Sequence, residues 1–129
     1  MVVGASVLAP ALGDHGKDGD AARNRLRDEV LTAPELIDLE VASVLRRQVA
    51  GGHLDERRAV LALRDLVELP LRRAPHRELL PRCWELRATV TPYDAAYVAL
   101  AEALDAVLLT ADARLSRTPG IRCTVELLT

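Results

Sequence analysis

Hydrophobic residues along the chain come in short blocks whose period alternates between that of a strand and that of a helix. Met1 to Ser6 (MVVGAS) reads as a strand that starts at the first residue and ends at Gly4-Ala5-Ser6. One or two helical turns follow over Val7 to Leu12, then a polar glycine-rich loop, Gly13 to Asp20. A charged helix over Ala21 to Glu29 leads into a second strand, Val30 to Ala33. Pro34 opens a longer helix to about Val49, closed by Gly51-Gly52. Its apolar stripe is Leu36, Ile37, Val41, Val44 and Leu45. Asp55 starts a further helix to Val67, with Val60, Leu63 and Val67 facing inward. Glu68 to Leu71 reads as an edge strand because of Pro70. A helix from Pro75 or His76 to about Ala88 contains Pro81, a residue that kinks or restarts a helix.

The most informative stretch is Thr91 to Asp112, TPYDAAYVALAEALDAVLLTAD. Thr91 is an N-cap, Pro92 suits the first helical position, and Asp94 faces the amides of the first turn. Tyr97, Leu100, Ala101 and Leu104 recur at helical spacing. Asp105-Ala106 links this helix to the strand Val107 to Leu109, which places Asp112 just past the strand's carboxyl end. A short helix from Asp112 to Arg117, a turn at Pro119-Gly120 and a strand over Arg122 to Leu127 complete the chain. Short strands alternating with helices predict an α/β fold, a mostly parallel sheet of about five strands covered on both faces. Residues 1–129 read as one domain.

Aromatic residues are only 2% of the 129 and Phe is absent, so the core must be built from Leu, Val and Ala. The net charge of −2 gives no general attraction to nucleic acid, so any such contact needs a local patch. Cys83 and Cys123 have no zinc-finger spacing and read as unpaired thiols. No apolar run approaches the length of a membrane span, and the expectation is a soluble, cytoplasmic protein.

Three acids stand out by position. Glu40 lies between Leu36 and Val44, inside an apolar stripe, where an ionised acid must be paired, neutralised or bound to a cation. Arg47, on the same face, is one such partner. Asp94 is either a capping-box residue or a site residue, and Asp112 either an N-cap or a site residue. Carboxylates without His or Cys form a hard-oxygen set suited to Mg²⁺ or Mn²⁺. Such an ion activates water for phosphodiester cleavage. A carboxylate pair for glycoside hydrolysis is the other use, disfavoured by the lack of an aromatic sugar platform. Arg46-Arg47, Arg72-Arg73 and Arg77 are candidate phosphate contacts. A phosphoacceptor receiver domain would need a late lysine, and the only lysine is Lys17.

The N-terminal strand running into Ala5-Ser6, PELIDLEVASVLRR with Glu40, TPYDAAYVALAEAL with Asp94 and LLTADARL with Asp112 together resemble a PIN-domain protein. Within that superfamily the chain resembles the VapC-type toxins of bacterial type II toxin–antitoxin pairs. The resemblance spans essentially the whole chain in order. It implies a three-layer α/β/α sandwich and a Mg²⁺- or Mn²⁺-dependent endoribonuclease. Glu40, Asp94 and Asp112 would hold the metal, Ser6 and Thr110 would support the site, and Arg46 and Arg47 would contact RNA phosphates. It also implies a cognate antitoxin, an RNA substrate and a homodimer. One departure matters: the first acid of the family pattern falls on Gly4. The chain is then a natural degenerate toxin, or one carrying an inactivating change, or one in which Asp14 substitutes. The expected activity is attenuated or absent, and the alternative is a non-catalytic PIN-fold module that binds an antitoxin or RNA.

Overall fold

The computed structural model describes residues 1–129. Five parallel strands form one sheet: β1 (Val2–Val3), β2 (Thr32–Pro34), β3 (Arg72–Ala74), β4 (Leu108–Thr110) and β5 (Val125–Leu127), in the order β3-β2-β1-β4-β5. Seven α-helices surround it: α1 (Ala5–Gly13), α2 (Lys17–Leu26), α3 (Ile37–Ala50), α4 (Glu56–Glu68), α5 (Leu80–Glu85), α6 (Pro92–Leu104) and α7 (Ala113–Ser116). Register is tight at the centre, with Val2 opposite both Thr32 and Leu108, and Val3 opposite Leu109. Val2, Val3, Leu108 and Leu109 are fully buried, as strands covered on both faces must be. No helix is long and apolar enough to cross a membrane.

The strand order reverses between β1 and β4. From β1 the chain winds outward through β2 to β3, then returns through α6 to β4 on the other side. Connections leaving those two central strands diverge, and a crevice opens outside their carboxyl ends. Gly4 follows β1, and Thr110-Ala111-Asp112 ends β4 and leaves it. The topology alone therefore brings these segments together.

Several sequence expectations shift. Ala5 and Ser6 are not strand but the first turn of α1, because Gly4 caps that helix in extended geometry. The polar stretch Gly13 to Asp20 is largely helical, since α2 begins at Lys17. Its start is favoured by Asp18 and Asp20 at the positive end of the dipole and Arg23 and Arg25 near the other end. Arg23 also closes α1, its Nη1 donating to Ala11 O at 2.9 Å and Asp14 O at 2.6 Å. Pro34 ends β2 rather than opening α3. The third strand is Arg72–Ala74, beyond the predicted Glu68 to Leu71, although it is the expected edge. The helix predicted after Pro75 is a 3-10 turn, Arg77–Leu79, followed by the short α5.

The largest correction concerns α4. Val60, Leu63 and Val67 were expected inward, yet they are 51%, 37% and 78% exposed. The buried positions are Ala59, Ala62 and Leu66. Small alanines let α4 approach α1 and α3 closely, so the narrow face, not the bulky one, turns to the core. Cys83 and Cys123 are both free thiols.

Gly19 records the same close packing. A Cβ there would lie 1.9 Å from Asp14 O and 2.9 Å from Pro10 O. Helix propensity alone predicts that Gly19→Ala stabilises α2 by about 1 kcal/mol. The α1–α2 contact predicts the opposite, a loss of about 1–3 kcal/mol from overpacking. Chemical denaturation of Gly19→Ala checks the sign, and a raised midpoint would show that α1 and α2 separate freely.

Candidate active site at the β1/β4 crevice

Each acid reaches the crevice by a different route. Glu40 sits one turn into α3, among Ile37, Val41 and Leu45, which are buried. Asp94 lies in the first turn of α6, where Thr91 Oγ1 accepts its backbone N–H at 3.2 Å. Asp112 caps α7, accepting the Arg114 amide at 2.9 Å. All three line one cavity of about 170 Å³ together with Gly4, Ser6, Tyr97 and Thr110. Asp112 is thus an N-cap whose side chain also lines the cavity. At α6 the cap is Thr91, and Asp94 lines the cavity without capping.

The two hydroxyls hold the β4–α7 connection. Ser6 Oγ accepts the Ala111 amide at 3.0 Å and lies 3.3 Å from Thr110 Oγ1. Thr110 Oγ1 in turn accepts the Asp112 amide at 3.1 Å. They bind the backbone that presents Asp112, so their support is geometric. Gly4 is fixed from the same side, its N–H donating to Leu109 O at 2.9 Å.

Arg47 does not neutralise Glu40: it donates to Ser43 Oγ at 3.1 Å. The partner is Tyr97, whose hydroxyl donates to Glu40 Oε1 at 2.6 Å. Tyr97 is the residue that sequence reasoning assigned only to the core. Its spacing of three from Asp94 on one helix, which aligns the two side chains, was the available signal. Arg46 and Arg47 lie outside the acid-lined cavity, and Arg46 borders an apolar groove between α3 and α4. Arg73, another phosphate candidate, is bound to Asp38, its Nε 2.8 Å from Oδ2. Asp14 does not line the cavity either, and its Oδ1 accepts the Gly16 amide at 2.7 Å.

The electrostatics divide the acids. Burial pushes the Glu40 carboxyl above its ordinary range, the Tyr97 bond pulls it partly back, and the Asp94 charge adds to the rise. Burial also raises Asp94, followed by repulsion from Asp112, against Arg114 and Thr91. Asp112 goes the other way because the Arg114 side chain is bonded to it. Arg114 Nε lies 3.3 Å from Asp112 Oδ1 and Nη2 lies 3.1 Å from Oδ2.

These are hard oxygen donors of the kind Mg²⁺ and Mn²⁺ prefer. As a set they do not fit an ion, because no three acidic, His or Cys side chains gather closely enough to hold one. The Asp112 oxygens are already engaged by Arg114. Gly4 lines the same cavity and brings no side chain to it. Its φ of −82° and ψ of 155° are ordinary for any residue. A Cβ there would lie 3.3 Å from Leu109 O and 3.6 Å from Ser6 Oγ, so the Leu109 carbonyl would have to yield by a few tenths of an ångström. The backbone dihedrals themselves do not require glycine.

Glu40→Gln should raise Tm by about 2–4 °C at neutral pH, equivalent to roughly 0.5–1 kcal/mol. The amide oxygen still accepts from Tyr97, and a desolvated charge is removed. Because the folded-state pKa of Glu40 is raised above its ordinary 4.5, the folded chain binds more protons than the unfolded one between the two values. The parent is thus relieved as pH falls through that window, and the difference in Tm should shrink. Thermal melts across pH measure this, and a gap that widens toward acid contradicts it.

The PIN domain family model matches residues 1–121. Ribonuclease VapC1 of Mycobacterium tuberculosis is 42% identical over 128 residues, covering 98% of this chain and 96% of that protein. Ribonuclease VapC9 of the same species is 41% identical, covering 99% and 98%. Among solved structures, M. tuberculosis VapC20, a sarcin-ricin loop cleaving toxin, superposes with a TM-score of 0.72 at 18% identity, over 94% of this chain and 95% of that one. The Rickettsia felis VapBC2 complex, bound to a DNA fragment from its promoter, gives 0.70 at 15% identity, over 99% and 98%. Those structures share the α/β/α fold. PIN-domain ribonucleases generally depend on a divalent metal. The chain belongs to the PIN-domain family and, within it, to the VapC-type ribonuclease toxins.

Proposed function

We propose that this chain is a VapC-type endoribonuclease toxin whose acid site is held short of full activity by Gly4. One observation carries the reading. Glu40, Asp94 and Asp112 converge from three elements on one crevice, and the position beside them without a side chain is Gly4, whose backbone dihedrals any residue can adopt. The ligand type fits Mg²⁺ or Mn²⁺, but the set is one acid short, so occupancy is weak. The chain's own residues still do defined work. Tyr97 holds the Glu40 carboxylate, and Ser6 and Thr110 fix the segment that carries Asp112. Gly4 equally favours a second reading, a PIN-fold module that binds RNA or an antitoxin without cutting.

The antitoxin site of this reading is the apolar groove of about 400 Å³ lined by Leu45, Val49, Val60 and Leu63. Homodimerisation is assigned to a different face, the hollow of Leu36, Leu80, Pro92 and Tyr93, with Leu39 and Trp84 exposed one turn away. The proposed compartment is the cytoplasm, where the RNA substrate lies.

Gly4→Asp should tighten Mn²⁺ binding and raise RNA cleavage, each by about 10–100-fold. The assay compares parent and variant on total bacterial RNA with Mg²⁺ or Mn²⁺ and an EDTA control, alongside a Mn²⁺ titration. Submillimolar Mn²⁺ binding by the parent, or equal cleavage by both, would overturn the attenuation. Absence of cleavage by two folded proteins would favour the binding module.

The two partner surfaces should be separable. Val60→Asp should change stability by no more than about 0.5 kcal/mol, lose capture by the cognate antitoxin, and keep the dimer. Leu80→Asp should halve the solution mass and keep antitoxin binding. Light scattering with co-purification distinguishes them, and loss of both properties in either variant contradicts the assignment.

A further inference from the structure

The acids leave the site with an electrostatic difficulty: three carboxylates face the cavity into which a polyanion must come. The cavity also continues on the other side of Asp94 and Asp112. A second cleft, of about 190 Å³, is lined by Thr89, Thr91, Asp94, Asp112, Arg114 and Thr118, among others. Arg114 is the only cationic side chain that lines either cavity. Its side chain is 83% exposed, so it is anchored to Asp112 at one edge and otherwise open to solvent. The bonds to Asp112 use Nε and Nη2, which leaves Nη1 with both its protons to give.

The hydroxyls around the cleft are not equivalent. Thr89 Oγ1 donates to Leu86 O at 3.2 Å, and Thr118 Oγ1 donates to Arg114 O at 2.9 Å. Their protons are spent. Thr91 Oγ1 accepts from the Asp94 amide, and its hydroxyl is turned to the Asp94 carboxylate. The free donor the cleft offers next to the acids is therefore the Arg114 guanidinium. A guanidinium bound to one anion along one edge can bind a second along another, and phosphate matches that fork.

We infer that Arg114 is the positioning residue that holds an RNA backbone phosphate beside the acid crevice. Arg114 bridges Asp112 and the phosphate next to the one to be cut, so the strand enters over the Thr91 side of α6. The role expected of Arg46 and Arg47 falls instead to a residue two positions after Asp112. This rests on the ribonuclease reading, and it concerns binding, so it does not require the missing acid.

The test is anisotropy of a short fluorescent oligouridylate with the full chain in EDTA, over a series of salt concentrations. Arg114→Gln should weaken binding about three- to tenfold at moderate salt and lower the slope of log K against log salt by about 0.7, the value for one phosphate on a single strand. Arg114→Lys should retain most of the slope. The double variant Arg114→Gln with Asp112→Asn conserves local net charge. If Arg114 contacts phosphate, the double variant keeps the lowered slope. If Arg114 only neutralises Asp112, the double variant regains the parent slope and the inference fails. Unchanged binding in Arg114→Gln overturns it as well, while the ribonuclease reading stands. Failure of the parent to bind RNA at all overturns both.

Discussion

Concentrating carboxylates at the end of a parallel sheet is costly, and the arrangement around the β1/β4 crevice is shaped by that cost. Glu40 and Asp94 are partly desolvated and lie near enough for the charge of Asp94 to act on Glu40 and that of Asp112 on Asp94. Each acid has its own relief. Glu40 has the Tyr97 hydroxyl, Asp94 has the nearby Arg114 charge and the Thr91 hydroxyl, and Asp112 has the Arg114 guanidinium. Removing one relief leaves a half-buried charge unsatisfied, which costs more than the bond itself contributes. The site is therefore a network. Its members come from α1, α3, α6 and the β4–α7 link, so it assembles only when the sheet does.

The sheet in turn is held by very small contacts. With no Phe and little aromatic content, the interior relies on Val and Leu strands and on alanine-faced helices. Ala95, Ala96, Ala99 and Ala101 bury most of α6, and Ala59 and Ala62 seat α4. Close approach of helix axes replaces bulk, which explains why Gly19 must stay without a side chain. The same economy leaves the larger apolar residues of α4 outside, where they form a groove instead of a core. A partner surface and a close-packed interior are two results of one packing choice.

Much of this was legible in the sequence because it is local. The cap at Thr91, the proline at Pro92 and the short link to β4 place Asp94 and Asp112 on element ends without any tertiary information. The position of Glu40 within an apolar stripe was similarly plain. What escaped reading depended on which neighbour arrives. Tyr97 looks like core until α3 brings Glu40 within 2.6 Å of its hydroxyl. The face of α4 was misjudged because hydrophobic bulk was taken as the signal for burial, whereas steric fit against α1 decided it. Only the first turn of α2 reads as loop, because Gly16 and Gly19 look like breakers, although Gly19 lets α1 approach.

Gly4 and Arg114 are linked through Asp112. A cation at the crevice has to be shared among the acids, and the number of acids sets how strongly an external ion competes with an internal one. With a glycine at the first position, the crevice has three carboxylates and a guanidinium already bound to one of them. Arg114 then competes well for Asp112, since it is covalently tethered two residues away and loses little entropy in reaching it. A fourth acid would place more negative charge around the same point and shift the balance toward a divalent ion, whose double charge and six or more oxygen ligands let it draw several carboxylates to one point. On the proposed reading, glycine at position 4 acts on a divalent ion twice, by offering no ligand and by leaving Asp112 to its arginine. That same arginine, kept at the lip of the crevice, is what still gives a phosphate backbone a reason to enter it.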